Sequence, residues 1–301
     1  MNENANGVLR FFPALFVVLW STGFVGARYA MPHAEPFTFL ALRFTLALCI
    51  LLPWALVALR SNPITSWTVL AHAAIAGALI HAAYLGGVFF AVRHGLPVGI
   101  AALVAGLQPL LTAAIAAGML GERLTGRHWI GLAAGLLGVV LVVAPKLGTT
   151  AGFAAVTLVP AGLGVVSIAL GTVWQKRFVG ALDLRIGAAA QYAGALGPAL
   201  LVAFMSETMQ LDWTVELVLS LLWLTFALSI GAVMLLLVLI RNGSVSGVAS
   251  LFYLVPGVTA LMAFVLFDER LAPIQLTGLV VAALGVSLAT RGSRKAVAQE
   301  A

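Results

Sequence analysis

The chain has 301 residues, of which 62% are hydrophobic and only 9% are charged, whereas soluble domains carry about 25% charged residues. A soluble protein of this length could not cover so much apolar surface, so the composition excludes that class and indicates an integral membrane protein. The net charge of +6 would suggest nucleic-acid binding in a soluble chain, but here it is expected to come from basic cytoplasmic loops.

Ten apolar stretches are long enough to cross a bilayer, which takes about 17–25 helical residues. The N-terminus lacks the basic start and cleavage site of a signal peptide, so the first stretch should remain as a helix. With the N-terminus inside, eleven Lys and Arg residues are cytoplasmic and four are external, which predicts that both termini are cytoplasmic. The predicted spans are 11–29, 37–58, 67–91, 97–119, 129–145, 153–175, 185–205, 214–240, 245–267 and 273–290.

The first three predicted helices carry side chains that are unusual at membrane depth. Trp20 lies about 15 Å deep at about 1.5 Å per residue, although tryptophan prefers the interfaces; it either packs in the core or lines a path. Arg43 lies about 10 Å deep, where it either snorkels or bonds to carbonyls, or faces an aqueous path. His81 and Tyr84 share one helix face and suit a cavity, although a lone histidine is also a common structural donor.

Prolines interrupt the fourth and ninth predicted helices at Pro109 and Pro256. Each removes a backbone hydrogen bond, which is tolerated at membrane depth where protein or water satisfies the freed carbonyl. Breaks at corresponding places in two halves point to a binding site; the alternative is a simple packing kink.

The fifth and tenth predicted helices are the least polar and should be peripheral, because polar residues inside membranes face bundle interiors or cavities. Residues 130–144 contain no polar side chain, and the tenth helix carries Thr277 and Ser287. Small residues allow helices to approach closely, which predicts helix packing, or alternatively a homodimer face, through Gly131, Gly135, Gly138, Gly278 and Gly285.

The two halves of the chain match one another at a shift of 148 residues. RHGLPVGIAAL (93–103) then meets RNGSVSGVASL (241–251), with five identities in eleven positions. After a one-residue slip, PLLTAAIAAGMLGERL (109–124) meets PGVTALMAFVLFDERL (256–271). Glu122 and Glu269 each precede an arginine in these segments, which predicts a local ion pair at each helix end.

An internal duplication of this kind has a topological consequence. Each copy holds five helices, and an odd number inverts the second copy in the membrane. Inverted repeats are common in secondary transporters, with the substrate site near the midplane. We therefore expect one repeat over 11–146 and a second, inverted repeat over 152–291, with short cytoplasmic tails at 1–10 and 292–301. At the shift of 148, Arg43 corresponds to Gln191 and His81 to Ser229.

The duplicated helix followed by Gly-Glu-Arg-Leu or Asp-Glu-Arg-Leu, with a glycine-rich last helix, resembles the drug/metabolite transporter superfamily, EamA type. Within that superfamily the sequence is similar to the YddG-type exporters of aromatic amino acids. The resemblance implies an all-α integral membrane protein of the cell inner membrane, with ten transmembrane helices as two inverted five-helix repeats. It also implies a central cavity lined by helices 1–4 and 6–9.

A site for an aromatic amino acid needs rings around the side chain and donors for the carboxylate. The ring candidates are Trp20, Tyr84, Trp174 and Tyr253, and the donor candidates are Arg43, His81, Gln108, Gln175 and Gln191. No cofactor or metal is expected, because the five histidines show no ligand spacing and no phosphate-binding GxxxxGK[ST] loop is present. The expected partners are a small-molecule substrate and the lipid bilayer, without nucleic acid, for a monomer or a homodimer.

Other functions fit the sequence less well. All ten acidic residues lie in loops, tails or at helix ends, which disfavours an intramembrane enzyme, and the loops are too short for a receptor. A cationic-drug carrier often has a carboxylate in the membrane, and ion-coupled carriers usually need one. The sequence therefore predicts a facilitative exporter with alternating access. The alternative is a proton-coupled exporter of other metabolites or of cationic drugs within the same superfamily, with His81 as the group that couples flux to pH.

Overall fold

Apolar stretches separated by short turns fold into helices throughout the described part of the chain. This computed structural model describes residues 11–61, 66–121, 126–146, 155–179, 182–232, 235, 239, 251–252 and 254–297. Helices satisfy their own backbone hydrogen bonds, which lipid cannot do. The helices are α1 (Phe12–Ala30), α2 (Pro36–Ser61), α3 (Trp67–Arg93), α4 (Val98–Leu120), α5 (Gly126–Val143), α6 (Leu158–Phe178), α7 (Leu184–Ser206), α8 (Val215–Ala232), α9 (Val255–Phe267) and α10 (Pro273–Val297).

Eight of these helices, α1 to α8, are long and apolar enough to cross a membrane. The apolar helices Val255–Phe267 and Pro273–Gly285 are shorter. The sequence predicts that the ninth span begins at residue 245, which lies outside the described residues. The last helix continues to Val297, through residues that the sequence assigned to a tail, because Arg291, Arg294, Lys295 and Ala296 are good helix formers around Gly292 and Ser293 and no proline follows.

Three of the helices are not regular along their length. α4 consists of Val98–Ala105 and Gln108–Leu120, separated by a turn at 106–107 just before Pro109. α3 contains a π-helical segment at Ala78–Ala83, and α8 contains another at Trp223–Ala232. At the shift of 148, residues 78–83 correspond to 226–231, so the distortion recurs at the same place in both halves. Such π segments are frequent at functional sites.

Helices α5 and α10 pack against each other through glycines. A methyl group on Gly138 would lie 2.5 Å from the carbonyl oxygen of Gly278, and one on Gly285 would lie 2.7 Å from that of Gly131. The close helix packing predicted for these glycines is therefore observed within one chain. Gln275, a polar residue of α10 that the sequence analysis overlooked, is buried and donates to the carbonyl of Val142 at 2.6 Å.

The outward faces of α5 and α10 are apolar and exposed, as a lipid-facing position requires. Exposed side chains on these faces include Trp129, Leu136, Val140, Val280 and Leu284. The two helices thus lie at the periphery, and the central positions fall to α2 and α7, where the rings of Phe44 and Tyr192 meet edge to face at 5.9 Å.

Candidate functional site

A cavity of about 140 Å³ lies between helices α1, α2, α3, α6, α7 and α8. Its polar side chains come from α2, α3, α7 and α8, and its apolar walls come mainly from α1, α3 and α6. The lining includes Trp20, Phe24, Arg43, Ile80, His81, Tyr84, Phe89, Ile168, Tyr192, Leu228 and Ser229. Four residues that the sequence nominated, Trp20, Arg43, His81 and Tyr84, are therefore brought to one cavity.

Arg43 lies inside the protein and not at the membrane surface. It is only 5% exposed, and its Nη2 donates to the Ser229 hydroxyl at 3.2 Å. Ser229 in turn donates to the carbonyl of Leu224 at 3.2 Å, within the π segment of α8. The Arg43 Nε has no hydrogen-bond partner within the described residues. This placement favours the interpretation that Arg43 faces an aqueous transport path, and it disfavours the interpretation that Arg43 snorkels to the membrane surface.

At the cavity, His81 makes a second polar contact between the two halves. Its Nε2 lies 3.3 Å from the Gln191 Oε1, so a hydrogen bond there requires the proton on Nε2. The imidazole also stacks on the ring of Tyr192, with centroids 4.7 Å apart and planes 11° from parallel. Gln191 thus lies beside the cavity and holds the His81 ring in place.

The two polar contacts are related to each other by the shift of 148. Arg43 corresponds to Gln191, and Ser229 corresponds to His81, so the contact of Arg43 with Ser229 maps onto that of Gln191 with His81. Phe44 and Tyr192 are also counterparts, and they contact each other directly. A residue that contacts its own counterpart lies where the two halves meet, which is where the cavity lies.

The chemistry of the cavity is nevertheless unequal between the halves. Trp20, Phe24 and Tyr84 place three rings on the first half. Their counterparts at the shift of 148 are Ile168, Thr172 and Ala232, none of which is aromatic. Trp20, Phe24 and Tyr84 therefore form an aromatic wall that belongs to the first half, and the second half adds the ring of Tyr192.

A second, smaller cavity of about 30 Å³ lies behind that aromatic wall. Trp20, Phe24 and Tyr84 line both cavities, and Gln108, Pro109 and Pro256 line only the second. The turn that interrupts α4 lies against Pro256, because a methyl group on Gly106 in that turn would lie 3.0 Å from the Pro256 Cγ. The two interrupted regions thus meet next to the main cavity.

The remaining candidates lie elsewhere or outside the described residues. Trp174 packs against Phe178 and His72, with ring centroids 4.6 and 5.6 Å away. Neither Trp174 nor Gln175 is among the described residues that line the two cavities. Tyr253 falls outside the described residues.

Sequence reasoning missed Tyr192, Ser229 and Phe44 as site residues. The repeat gave a signal for each, because Ser229 is the counterpart of His81, and the counterparts Phe44 and Tyr192 directly follow the counterparts Arg43 and Gln191. Among the described residues, no group of three His, Cys, Asp or Glu side chains could hold a metal ion.

Membrane-length helices around a cavity with cationic and aromatic lining define a multi-pass membrane protein of the transporter class. The model of the EamA-like transporter family matches residues 10–144 and again residues 157–291. The chain belongs to that family.

Similar proteins agree with this assignment over nearly the whole chain. The uncharacterized inner membrane transporter YedA of Escherichia coli strain K12 is 29% identical, covering 95% of this chain and 92% of the relative. The probable amino-acid metabolite efflux pump of the same strain is 26% identical, covering 93% and 94%. The uncharacterized transporter YvbV of Bacillus subtilis strain 168 is 26% identical, covering 93% and 91%.

The fold is also similar to that of a solved crystal structure. The two superpose with a TM-score of 0.65 at 22% sequence identity, covering 96% of this chain and 98% of the other. Together, the family, the relatives and the apolar helices identify a multi-pass inner membrane transporter and favour transport over catalysis.

Proposed function

We propose that the protein exports aromatic amino acids, or small amphipathic metabolites of similar shape, by facilitative alternating access. The observation that supports this most directly is Arg43, a buried guanidinium whose Nε–H bonds to none of the described residues, on the wall of a cavity whose other wall is aromatic. A guanidinium binds a carboxylate through two parallel hydrogen bonds. The cavity thus offers an anionic-group site beside an apolar ring site.

The substrate carboxylate binds Arg43 and takes the place of Ser229 on its Nη2. The side-chain ring packs against Trp20 and Tyr84, since offset and edge-on ring pairs are favourable. The ammonium group faces the ring surfaces, which attract cations, and the Oε1 of Gln191.

The cavity must widen when it binds such a substrate. Its volume of about 140 Å³ is smaller than the 300–1,000 Å³ that is typical of ligand sites. Rotation of the wall formed by Trp20, Phe24 and Tyr84 would join it to the second cavity. Gln108, at that second cavity, then reaches the far end of the substrate ring.

Alternating access follows from the proposed architecture of two inverted five-helix repeats, 11–146 and 152–291, with ten spans and both termini in the cytoplasm. The doubled family match, the related contacts of Arg43 and His81 and the excess of basic residues on one side support it. The glycines of α5 and α10 pack against each other within one chain and are not available to a second copy, which favours a monomer. A homodimer through these helices would use their outer, lipid-facing sides.

The cavity favours a neutral or anionic substrate over a cationic drug, because Arg43 repels cations and no carboxylate of the described residues lines either cavity. The same shortage of acids supports facilitated rather than ion-coupled export. Proton-coupled export of another metabolite is the second candidate, since His81 lies in the cavity and histidine ordinarily titrates near neutral pH.

The proposal is tested by counterflow in proteoliposomes that are preloaded with one unlabelled amino acid and given labelled tryptophan, phenylalanine or tyrosine outside. Arg43→Gln should lower the flux at least about tenfold, because a charge-assisted hydrogen bond is lost. Arg270→Gln, which removes an exposed cation that pairs with Asp268, should retain flux within about twofold. Flux of a lipophilic cation but of no aromatic amino acid would refute the proposed substrate class.

Energy coupling is tested in the same liposomes with an imposed pH gradient and no sodium or membrane potential. A facilitator equilibrates the substrate and does not concentrate it. Accumulation driven by the gradient and lost in His81→Gln would replace the facilitative proposal with the proton-coupled one.

A further inference from the structure

Two connecting segments on the side predicted to be external form a short antiparallel contact between the proposed halves. Ala34 and Leu211 make an antiparallel bridge, and the Asp212 N–H donates to the carbonyl of His33 at 2.9 Å. The Thr208 hydroxyl donates to the Glu35 carboxylate at 3.0 Å. We call residues 33–38 with residues 207–212 the external strap.

The strap ends in a helix cap that comes from the opposite half. The Glu207 Oε1 accepts from the Phe37 N–H at 2.8 Å, and its Oε2 accepts from the N–H and the hydroxyl of Thr38, both at 2.7 Å. α2 begins at Pro36, which has no N–H, so these are its first free donors. A carboxylate at a helix N-terminus is stabilised by charge-assisted hydrogen bonds and by the helix dipole.

A second carboxylate of the second half caps another helix of the first half on the same side. The Glu269 Oε1 accepts from the Val98 N–H at 3.4 Å, and its Oε2 accepts from the Gly99 N–H at 3.5 Å, at the start of α4. The ion pair predicted between Glu269 and Arg270 is not what the described residues form, because Arg270 bonds to Asp268 at 2.9 Å. Asp268 and Arg270, two residues apart, are both exposed and pair with each other, whereas Glu269 between them turns toward the start of α4.

We propose that Glu207 and Glu269 form the external gate of the transporter. Each carboxylate holds the N-terminal end of a first-half helix, α2 or α4, against the second half, and both caps break when the cavity opens outward. This inference rests on the proposed transport cycle and on the proposed orientation of the chain. Both caps are intact here, so the structure represents a state closed to the outside.

Among the described residues, the Glu207 cap is built on one side only, and Glu122, which matches Glu269 in the repeat, lies outside them. The counterpart of Glu207 at the shift of 148 is Leu59, which cannot accept hydrogen bonds. The counterpart of Glu35 is Asp183, which caps its own helix α7 by accepting from the Arg185 N–H at 2.9 Å. Hydrogen bonds from the Arg185 side chain lower the pKa of that Asp183 carboxyl. A copy of the external strap with its Glu207 cap therefore does not close the cytoplasmic side.

The first test measures how fast a cavity cysteine reacts with a membrane-impermeant thiol reagent that is added outside. The reporter is Leu228→Cys in a Cys49→Ser background, because Leu228 lines the cavity and Cys49 is the single native cysteine. Glu207→Gln should raise the labelling rate about tenfold, the equivalent of one charge-assisted cap. Glu269→Gln, whose contacts are longer, should raise it about two- to threefold.

The matched control is Glu216→Gln, an exposed acid at the start of α8 on the same side that takes no part in the strap. Labelling at the wild-type rate in Glu207→Gln would overturn the gate. An equal rise in Glu216→Gln would overturn it too, since loss of any external charge would then suffice.

The second test does not depend on how well the Glu207 variant folds. Residues joined by an antiparallel bridge lie about 4.5–5.5 Å apart at Cα, within the range that a disulfide spans. The pair Ala34→Cys and Leu211→Cys should therefore cross-link. Oxidation should lower substrate flux at least tenfold, and reduction should restore it.

The outcomes separate the gate from the transported substrate. Equal flux before and after complete cross-linking would overturn the gate, because transport would then not require the strap to open. Absence of amino acid flux in the wild-type protein would overturn the proposed function instead. The labelling result would still decide whether the two carboxylates hold the external side closed.

Discussion

Replacement of Arg43 by methionine is expected to stabilise the protein while it removes substrate binding. Arg43 is buried, its Nη2 makes one hydrogen bond to a neutral hydroxyl, and its Nε makes none with the described residues. A cation in that setting recovers only part of its desolvation free energy. Methionine is flexible, apolar and unbranched, so it fills the same space without the charge.

The magnitude follows from the contacts of Arg43. Replacement of a buried charge by a packed apolar side chain is neutral or stabilising by about 1–4 kcal/mol. The lost hydrogen bond to Ser229 costs about 1 kcal/mol, and Ser229 keeps its bond to the carbonyl of Leu224. We expect the free energy of unfolding to rise by up to about 3 kcal/mol. Loss of a charged hydrogen bond to the carboxylate, about 1.5–3 kcal/mol, lowers substrate affinity by about 10- to 150-fold.

The assay combines unfolding of the detergent-solubilised protein with substrate binding on the same preparation. Arg43→Lys is the control, because it retains the buried charge and should not gain stability. Removal of one partner from a buried ion pair lowers the free energy of unfolding by about 3 kcal/mol or more. A loss of that size in Arg43→Met would therefore mean that Arg43 stabilises the fold through such a pair. That result, with binding retained, would refute the role of Arg43 as the substrate anchor.

Two further predictions concern the helix packing and the topology. Gly138→Ala should destabilise the protein by about 1–3 kcal/mol in thermal unfolding, because its Cβ would lie 2.5 Å from the Gly278 carbonyl oxygen. A Cβ added at Gly118 would meet no atom within 4 Å, so Gly118→Ala should raise the free energy of unfolding by up to about 1 kcal/mol through helix propensity. If both variants are less stable than the wild type, packing is not the cause. In a Cys49→Ser background, an impermeant thiol reagent applied outside should label His94→Cys and miss Ser61→Cys. Labelling of both from that side would contradict the ten-span topology.

The sequence determined the class of the protein and the depth of its unusual residues. A bilayer imposes a minimum length and an apolar surface on every span, so hydropathy alone located the helices α1 to α7 within about five residues and the start of α8 within one. Depth follows from counting along a helix, which is why Arg43 and His81 could be singled out. The repeat added the correspondence of Arg43 with Gln191 and of His81 with Ser229.

The tertiary structure decided which of these residues meet. Position along one helix does not determine which residue of another helix lies opposite, because that depends on the crossing and rotation of both. The contacts of Arg43 with Ser229 and of His81 with Gln191 are therefore absent from any local pattern. For the same reason Trp174, at a plausible depth in α6, packs with His72 and Phe178 and not in the cavity.

The same limit applies at the helix ends. Glu207 and Glu269 have the spacing of ordinary helix-end acids, and nothing in their neighbourhood along the chain reveals that each caps a helix about 170 residues away. Length, hydropathy and charge bias act along the chain, so the sequence determined the spans. A cap or a cavity joins residues that are distant along the chain, so only the packed helices decided where they lie.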